Sequence, residues 1–293
     1  MHDYLRAIGF SGIDKAELKK ILKSVADEPK YEYVTDNGVD SAVGEKSKDF
    51  AERVGITLRG EYDEHGEFSC EYYFPYIKGD EVSVIEEISV EKHADRTSYV
   101  GISDNVNLGV SLAFYLLNMV DYVDHVHKVR HDHAIKPEIL SALSLSGKIL
   151  LPIYKDEEDV RRRNSDQKTR NSLINAAKQG DQEAIENLTL EDLDLFSAVS
   201  KRARKEDVLS IVESYFMPFG IACDEYSVLG TIIDFEDTVN SYTGEELCLL
   251  KLECNDLIFD VCINKKDLFG EPAIGRRFKG NIWMQGCVEF MTV

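Results

Sequence analysis

The densest run of chemistry-bearing side chains is Asp121-Tyr122-Val123-Asp124-His125-Val126-His127-Lys128-Val129-Arg130-His131-Asp132-His133. On a helix, at about 100° per residue, Asp124, His127 and His131 share one ~60° sector. An i, i+4 histidine pair with a carboxylate has the ligand types and spacing that zinc or iron uses, so this triad is the candidate centre of a metal-dependent hydrolase. A divalent metal here is the one cofactor the sequence offers. No H-E-x-x-H occurs and no fourth ligand is identifiable, and the competing expectation is a solvated helix end whose histidines meet the C-terminal dipole.

Cys248, Cys254, Cys262 and Cys287 are separated by 5, 7 and 24 residues. That spacing departs from the paired C-x₂₋₄-C of zinc ribbons. Cys248 and Cys254 are expected to point into a core as small hydrophobes. Arg161, Arg162 and Arg163, with Lys168 and Arg170, form the one basic concentration. They are candidates for an anion or acidic partner, although three consecutive arginines face three sides of a helix and the preceding acids invite i, i+4 pairing. Trp283, the only tryptophan, is a candidate interface anchor. No G-x-x-x-x-G-K-[ST], G-x-G-x-x-G or G-x-S-x-G is present, which disfavours the nucleotide-binding and hydrolase classes those motifs mark.

The elements that must position these groups read as follows. Asp14 caps a helix over 13–25, with Leu18, Ile21, Leu22 and Val25 on one stripe. Residues 56–76 read as a β-hairpin turning at Asp63-Glu64-His65-Gly66, and 82–90 and 98–102 as strands. A long helix is expected from Asn105 or Asn107 to about His131. It is apolar all round through Val120 and therefore buried. A shorter helical stretch lies between Pro137 and Gly147, then a strand over 149–154. The charged run 155–170 marks a boundary, followed by short helices at 173–177, 184–188, 190–199 (capped by Thr189) and 208–215. From Cys223 the pattern is all β: five short strands, with a hairpin turn at Asn255-Asp256, which suit a small closed barrel of the OB type. The fold expectation is therefore α+β in three segments: an α+β domain at 1–155, a helical connector at 156–222 and a small β-barrel at 223–293.

Composition bounds the partners. The 293 residues carry 54 acidic against 34 basic side chains, a net charge of -20, and 43% are hydrophobic. The three segments 1–150, 151–222 and 223–293 carry net charges of -10, -3 and -7. Each repels a phosphate backbone, so a nucleic-acid-binding barrel using Lys265, Lys266, Arg276, Arg277 and Lys279 ranks third among the functions. The best apolar stretch, 108–120, is too short to span a bilayer, and the first ten residues do not read as a signal peptide. With no C-x-x-C pair, six cysteines read as reduced thiols of a cytoplasmic protein.

The opening Tyr4-Leu5-Arg6-Ala7-Ile8-Gly9-Phe10-Ser11 and the closing Gly275-Arg276-Arg277-Phe278-Lys279-Gly280-Asn281-Ile282-Trp283-Met284-Gln285-Gly286 resemble an uncharacterised bacterial family of about this length. That family is found mainly in anaerobic Firmicutes and is known only as a domain of unknown function. The resemblance spans nearly the whole chain and implies a bacterial cytoplasmic origin; it brings no activity or site residue. The leading functional expectation is thus a non-catalytic binding or adaptor protein acting through protein–protein contacts or self-association, with no membrane partner.

Overall fold

The computed structural model describes residues 1–39, 41–92, 98–103, 111–128, 135–153, 169–170, 172–174, 176–177 and 179–290. Residues 1–150 and 216–293 form one compact unit and 151–215 a second.

In the larger unit the expected helix is α1 (Lys15–Asp27). The Asp14 side chain accepts from the amides of Ala16 and Glu17, and Leu18, Ile21 and Val25 are buried. The expected hairpin belongs to a four-stranded antiparallel meander, β1 (Tyr31–Val39), β2 (Ser41–Ala51), β3 (Val54–Tyr62) and β4 (Phe68–Ile77). Asp63 closes its turn by accepting from the amides of His65 and Glu67 at 2.9 and 2.8 Å.

A ten-stranded sheet holds the remaining strands: β5 (Val84–Lys92), β6 (Tyr99–Ser103), β7 (Leu112–Leu116), β8 (Ile135–Leu150), β9 (Tyr215–Pro218), β10 (Glu225–Val239), β11 (Glu246–Cys254), β12 (Leu257–Asn264), β13 (Leu268–Phe269) and β14 (Arg277–Val288). Five of these close a barrel. β10–β11, β11–β12, β8–β14 and β14–β10 pair antiparallel, and β12–β8 pairs parallel. The expected α+β fold with a small closed barrel is what the chain adopts. Asn255 and Asp256 both sit at positive φ, 50° and 65°, as a two-residue hairpin turn between β11 and β12 requires. Four staves come from the C-terminal segment and the fifth, β8, from before residue 151. A second circuit of pairings runs β8–β5–β6–β7–β14, so β8 and β14 serve both rings.

Two helical expectations are corrected here. In place of one helix over 108–131, the described residues form strand β7 and then helix α2 (Met119–Lys128). Leu112, Phe114 and Leu116 enter the barrel-side core while Tyr115 and Leu117 enter the core beneath the meander. A segment buried on both faces is apolar at every position and so lacks the alternation that marks a half-exposed strand. Likewise the stretch between Pro137 and Gly147 is part of strand β8. Its Leu140 and Ala142 face one core and its Leu143 and Leu145 the other. The buried serines between them are satisfied: Ser141 Oγ donates to the Ile77 carbonyl at 2.6 Å and Ser144 Oγ to that of Asn281 at 2.8 Å. Strand β14 runs straight through Gly286. A Cβ there would lie 2.7 Å from the Phe114 ring, so the glycine admits that ring between β7 and β14.

The second unit contains α3 (Gln182–Arg202), capped by Asp181, and the short α4 (Val208–Ile211), capped by Asp207. Thr189 lies inside α3 rather than capping a new helix; its hydroxyl donates to the Ile185 carbonyl one turn back, at 2.8 Å. Among the described residues no helix is long and apolar enough to cross a membrane.

The N-terminal 3₁₀ turn, Asp3–Ile8, is locked to the barrel by Asn240, which is fully buried. Asn240 Nδ2 donates to the Ile8 carbonyl at 2.7 Å and its Oδ1 accepts from the amides of Tyr242 and Thr243. Gly9 follows at φ 89°, and a Cβ there would stand 2.8 Å from Asn240 Cβ. Gly9→Ala therefore combines left-handed strain with overpacking, and is expected to cost about 2–4 kcal/mol. Gly66→Ala, at φ 77° with open space around it, carries the backbone term alone. Urea denaturation of the two variants checks this: equal losses would refute the contact with Asn240.

Candidate functional site

The larger unit carries a cleft of about 900 Å³ whose walls, among the described residues, come from six separate stretches of chain, one of them Ser98 alone. His2 and Tyr4 precede or begin the N-terminal 3₁₀ turn, Glu71 to Phe74 lie on β4, Tyr115 on β7 and Trp283 on β14. Ile221 to Glu225 lead into β10. Such volume and aromatic lining suit a ligand site.

Trp283 is the hub. Its indole Nε1 donates to Asp224 Oδ2 at 2.8 Å, and the Met284 amide donates to the Asp224 carbonyl at 2.8 Å, so the loop before β10 is pinned to β14. The rings of His2, Tyr4 and Tyr115 lie 5.0, 5.2 and 5.2 Å from it, tilted by 35°, 36° and 59°. Phe74 packs on Tyr115 at 4.9 Å. The Tyr4 hydroxyl donates to Glu225 Oε1 at 3.1 Å. Burial, reinforced by Glu225 and Asp224, holds the Tyr4 phenol well above its ordinary range, so it stays protonated as that donor.

Behind this wall lies the buried ion pair of Arg59 and Glu45, with residue exposures of 1% and 4%. Arg59 also donates to the hydroxyls of Tyr72 at 2.9 Å and Tyr115 at 3.3 Å and to the carbonyls of Leu116 and Leu117. Its guanidinium lies 5.6, 4.9 and 5.7 Å from the ring centres of Tyr72, Phe74 and Tyr115. Burial pushes the Glu45 carboxyl up and Arg59 opposes that rise. One cation thus fixes three rings of the cleft wall from behind.

A second charged cluster surrounds Asp260 of β12, which accepts from Arg53 Nη1 at 3.3 Å and from the Asp80 amide at 3.2 Å. Burial raises its carboxyl, against the pull of Arg53 and with a push from Asp80, to about 6 from an ordinary 3.8. Burial also raises Asp80, but Lys251 and Arg53 outweigh it and bring that carboxyl below its usual value. A raised carboxyl favours the folded state at low pH, and the Asp260 contribution is lost as pH climbs from about 4 to about 6. The ¹³C shift of the Asp260 carboxyl is expected to titrate near 6, and higher still in Arg53→Met. A midpoint near 4 would contradict the assigned burial.

Of the residues singled out in the sequence, Trp283 lines the cleft. Asp124 and His127 lie on α2, where Asp124 Oδ1 accepts from the Thr35 hydroxyl at 3.4 Å. The third member of that triad, His131, lies outside the described residues, as do Arg161, Arg162 and Arg163. Among the described residues no group of three or more His, Cys, Asp or Glu side chains is arranged to hold a metal ion. The neighbouring His125 stacks on Phe290 at 4.1 Å. Cys248 and Cys254 are buried in the barrel core, as expected. Sequence reading missed Tyr4, Tyr72, Tyr115, Asp224 and Glu225. The available signals were the aromatic density of Tyr72-Tyr73-Phe74 and the two end motifs, which meet where Tyr4 touches Trp283.

No curated protein and no solved structure matches the chain. A family model described as "Domain of unknown function, E. rectale Gene description (DUF3881)" matches residues 5–286. That span takes in the meander, nearly all of the barrel and the cleft lining other than His2 and Tyr4, and the chain belongs to this family of unknown function.

Proposed function

We propose that the protein is a non-catalytic intracellular adaptor that recognises a protein partner through the aromatic cleft. The observation that carries this reading is the cleft itself: an aromatic wall held from behind by Arg59, with its carboxylates oriented by Tyr4 and Trp283. Groups fixed in this way hold their shape without a ligand, which lowers the ordering cost of binding. Ile221, which lines the cleft, is 105% exposed, and Phe219, whose amide donates to the carbonyl of the lining residue Glu225 at 2.8 Å, is 45% exposed. Large apolar side chains clustered at a cleft rim are a common mark of a protein contact.

The test is affinity capture from native lysate with the wild type and with a Phe219→Asp/Ile221→Asp variant, whose substitutions fall on exposed positions and leave the core intact. A stoichiometric partner retained by the wild type and lost by the variant is the expected outcome. Identical captures, or no partner including a second copy, would overturn the reading.

A further inference from the structure

We propose that α3 is a self-association element: its outer face packs antiparallel against the same face of a second copy of the chain, about a two-fold axis near Leu193. None of the residues involved lines the cleft, so the inference goes beyond the adaptor reading.

The first argument is the breadth of the apolar surface on one helix. At about 100° per residue, Ala184, Leu188 and Val199 fall within one sector of ~60°. Ala184 is 3% exposed and the other two are half-buried, so this is the covered face. Ile185, Leu190, Leu193 and Phe196 occupy a second sector of ~140° beside it. They are 42%, 61%, 58% and 72% exposed. A helix covered on one side ordinarily presents charged and polar side chains on the other. Here three consecutive turns present four large apolar ones. Thr189, Ser197 and Ser200, which lie among them, are small and let a second helix come close. The Thr189 hydroxyl is already used on the Ile185 carbonyl, so it brings no orphaned donor to the contact.

The second is charge, which selects both the occupant and its direction. Glu183 and Glu186 lie in the first turns of α3 and Lys201 in the last. Among the described residues neither Glu186 nor Lys201 has an ion pair, whereas Arg202 is held by Glu206 at 2.8 Å and Glu191 faces Arg170 at 3.7 Å. An antiparallel alignment centred on Leu193 sets Leu190 opposite Phe196 of the second copy. It also brings Glu186 to within one residue of Lys201 of that copy. Both relations hold in reverse, so the contact closes on itself as a two-fold interface must. A parallel alignment would set Glu186 against Glu186 and Lys201 against Lys201.

The third is size. The 21 residues of α3 span about 31 Å. A pair of helices of that length lies at the small end of specific interfaces, so the association is expected to be weak, with a Kd on the order of tens of micromolar.

Sedimentation velocity of the pure full-length protein over about 2–200 µM brackets that value. Salt of about 0.15 M screens the general repulsion between two acidic copies. The sedimentation coefficient of the wild type is expected to rise with concentration from a monomer to a dimer value. Leu193→Glu/Phe196→Glu, at two exposed positions, is expected to remain a monomer with an unchanged circular dichroism spectrum. Lys201→Glu is expected to weaken the dimer about fivefold, and adding Glu186→Lys to restore it. Direction is read by cross-linking with a short bismaleimide, above the background that exposed Cys70 and Cys223 set in the wild type. Leu193→Cys should cross-link to itself. Ile185→Cys should not, because the two copies of that position stand about 24 Å apart along an antiparallel pair.

A wild type that stays monomeric to the top of the range would overturn the proposal, whether the face is covered by another protein or by none. A Leu193→Glu/Phe196→Glu variant that dimerises like the wild type would do so too, as would equal cross-linking at both cysteines, the mark of a parallel pair. The wild-type concentration series needs no variant, so it decides even where a substitution impairs folding. Phe219→Asp/Ile221→Asp should dimerise like the wild type, so the capture test of the adaptor reading fails or succeeds separately.

Discussion

Replacing Arg59 with methionine is expected to lower the stability of the larger unit by about 3–5 kcal/mol, because it strands Glu45 as an uncompensated charge in the core. Both side chains are almost fully buried, so water cannot take the place of the guanidinium. The loss extends past the ion pair. The Tyr72 and Tyr115 hydroxyls and the Leu116 and Leu117 carbonyls all lose a donor at once. For a unit of this size the thermal midpoint should fall by roughly 10 °C. The double variant Arg59→Met/Glu45→Leu removes both charges and should recover most of the loss, since hydrophobic replacements of buried ion pairs are often neutral or stabilising. A single variant within about 2 °C of wild type, or a double variant no better than the single, would contradict the account. Trp283 emission offers a parallel readout. Arg59 fixes Tyr115, and Tyr115 packs on Trp283, so the single variant should alter the emission even where the fold survives.

Legibility in the sequence followed the range of the interactions. Asp14 and the cluster Asp63–Gly66 act on amides within four residues, and both were readable from local chemistry. The alternation of β11 and the Asn255-Asp256 turn were readable for the same reason. The hairpin of β1 and β2 was missed because its strands carry Glu45, Lys46, Lys48 and Asp49 in place of an apolar alternation. β7 and β8 failed differently. Each lies between two cores, so its pattern records burial on both sides and says nothing of period. The cleft was the least legible feature. Tyr4 meets Glu225 across 221 positions and Trp283 meets Asp224 across 59, separations at which periodicity carries no information. Trp283 stood out only by rarity, and its role comes from neighbours that no local pattern names.

The residues of 216–293 expressed alone are expected to stay unfolded, because the barrel then lacks its fifth stave. β8 pairs with β14 from Leu150 opposite Arg277 to Glu138 opposite Val288, with one bulge at Leu145, and pairs in parallel with β12 on its other side. Without it two sheet edges open, and Leu140, Ala142 and Leu143 leave two cores in which each is almost fully buried. Each leucine alone contributes about 1.5–3 kcal/mol on burial. A core as small as this one rarely supplies more than ~3–5 kcal/mol in total, so the missing stave removes most of the margin. Trp283, Leu247 and Leu249, which pack outward into the core beneath the meander, would also face water. Co-expression with 1–153 should restore a folded complex, whereas co-expression with 1–134, which ends before β8, should not. Co-purification followed by a thermal melt decides between them. A cooperative transition from 216–293 alone would show that the barrel closes without β8, and equal rescue by the two N-terminal pieces would show that the meander, and not the stave, is what the C-terminal segment requires.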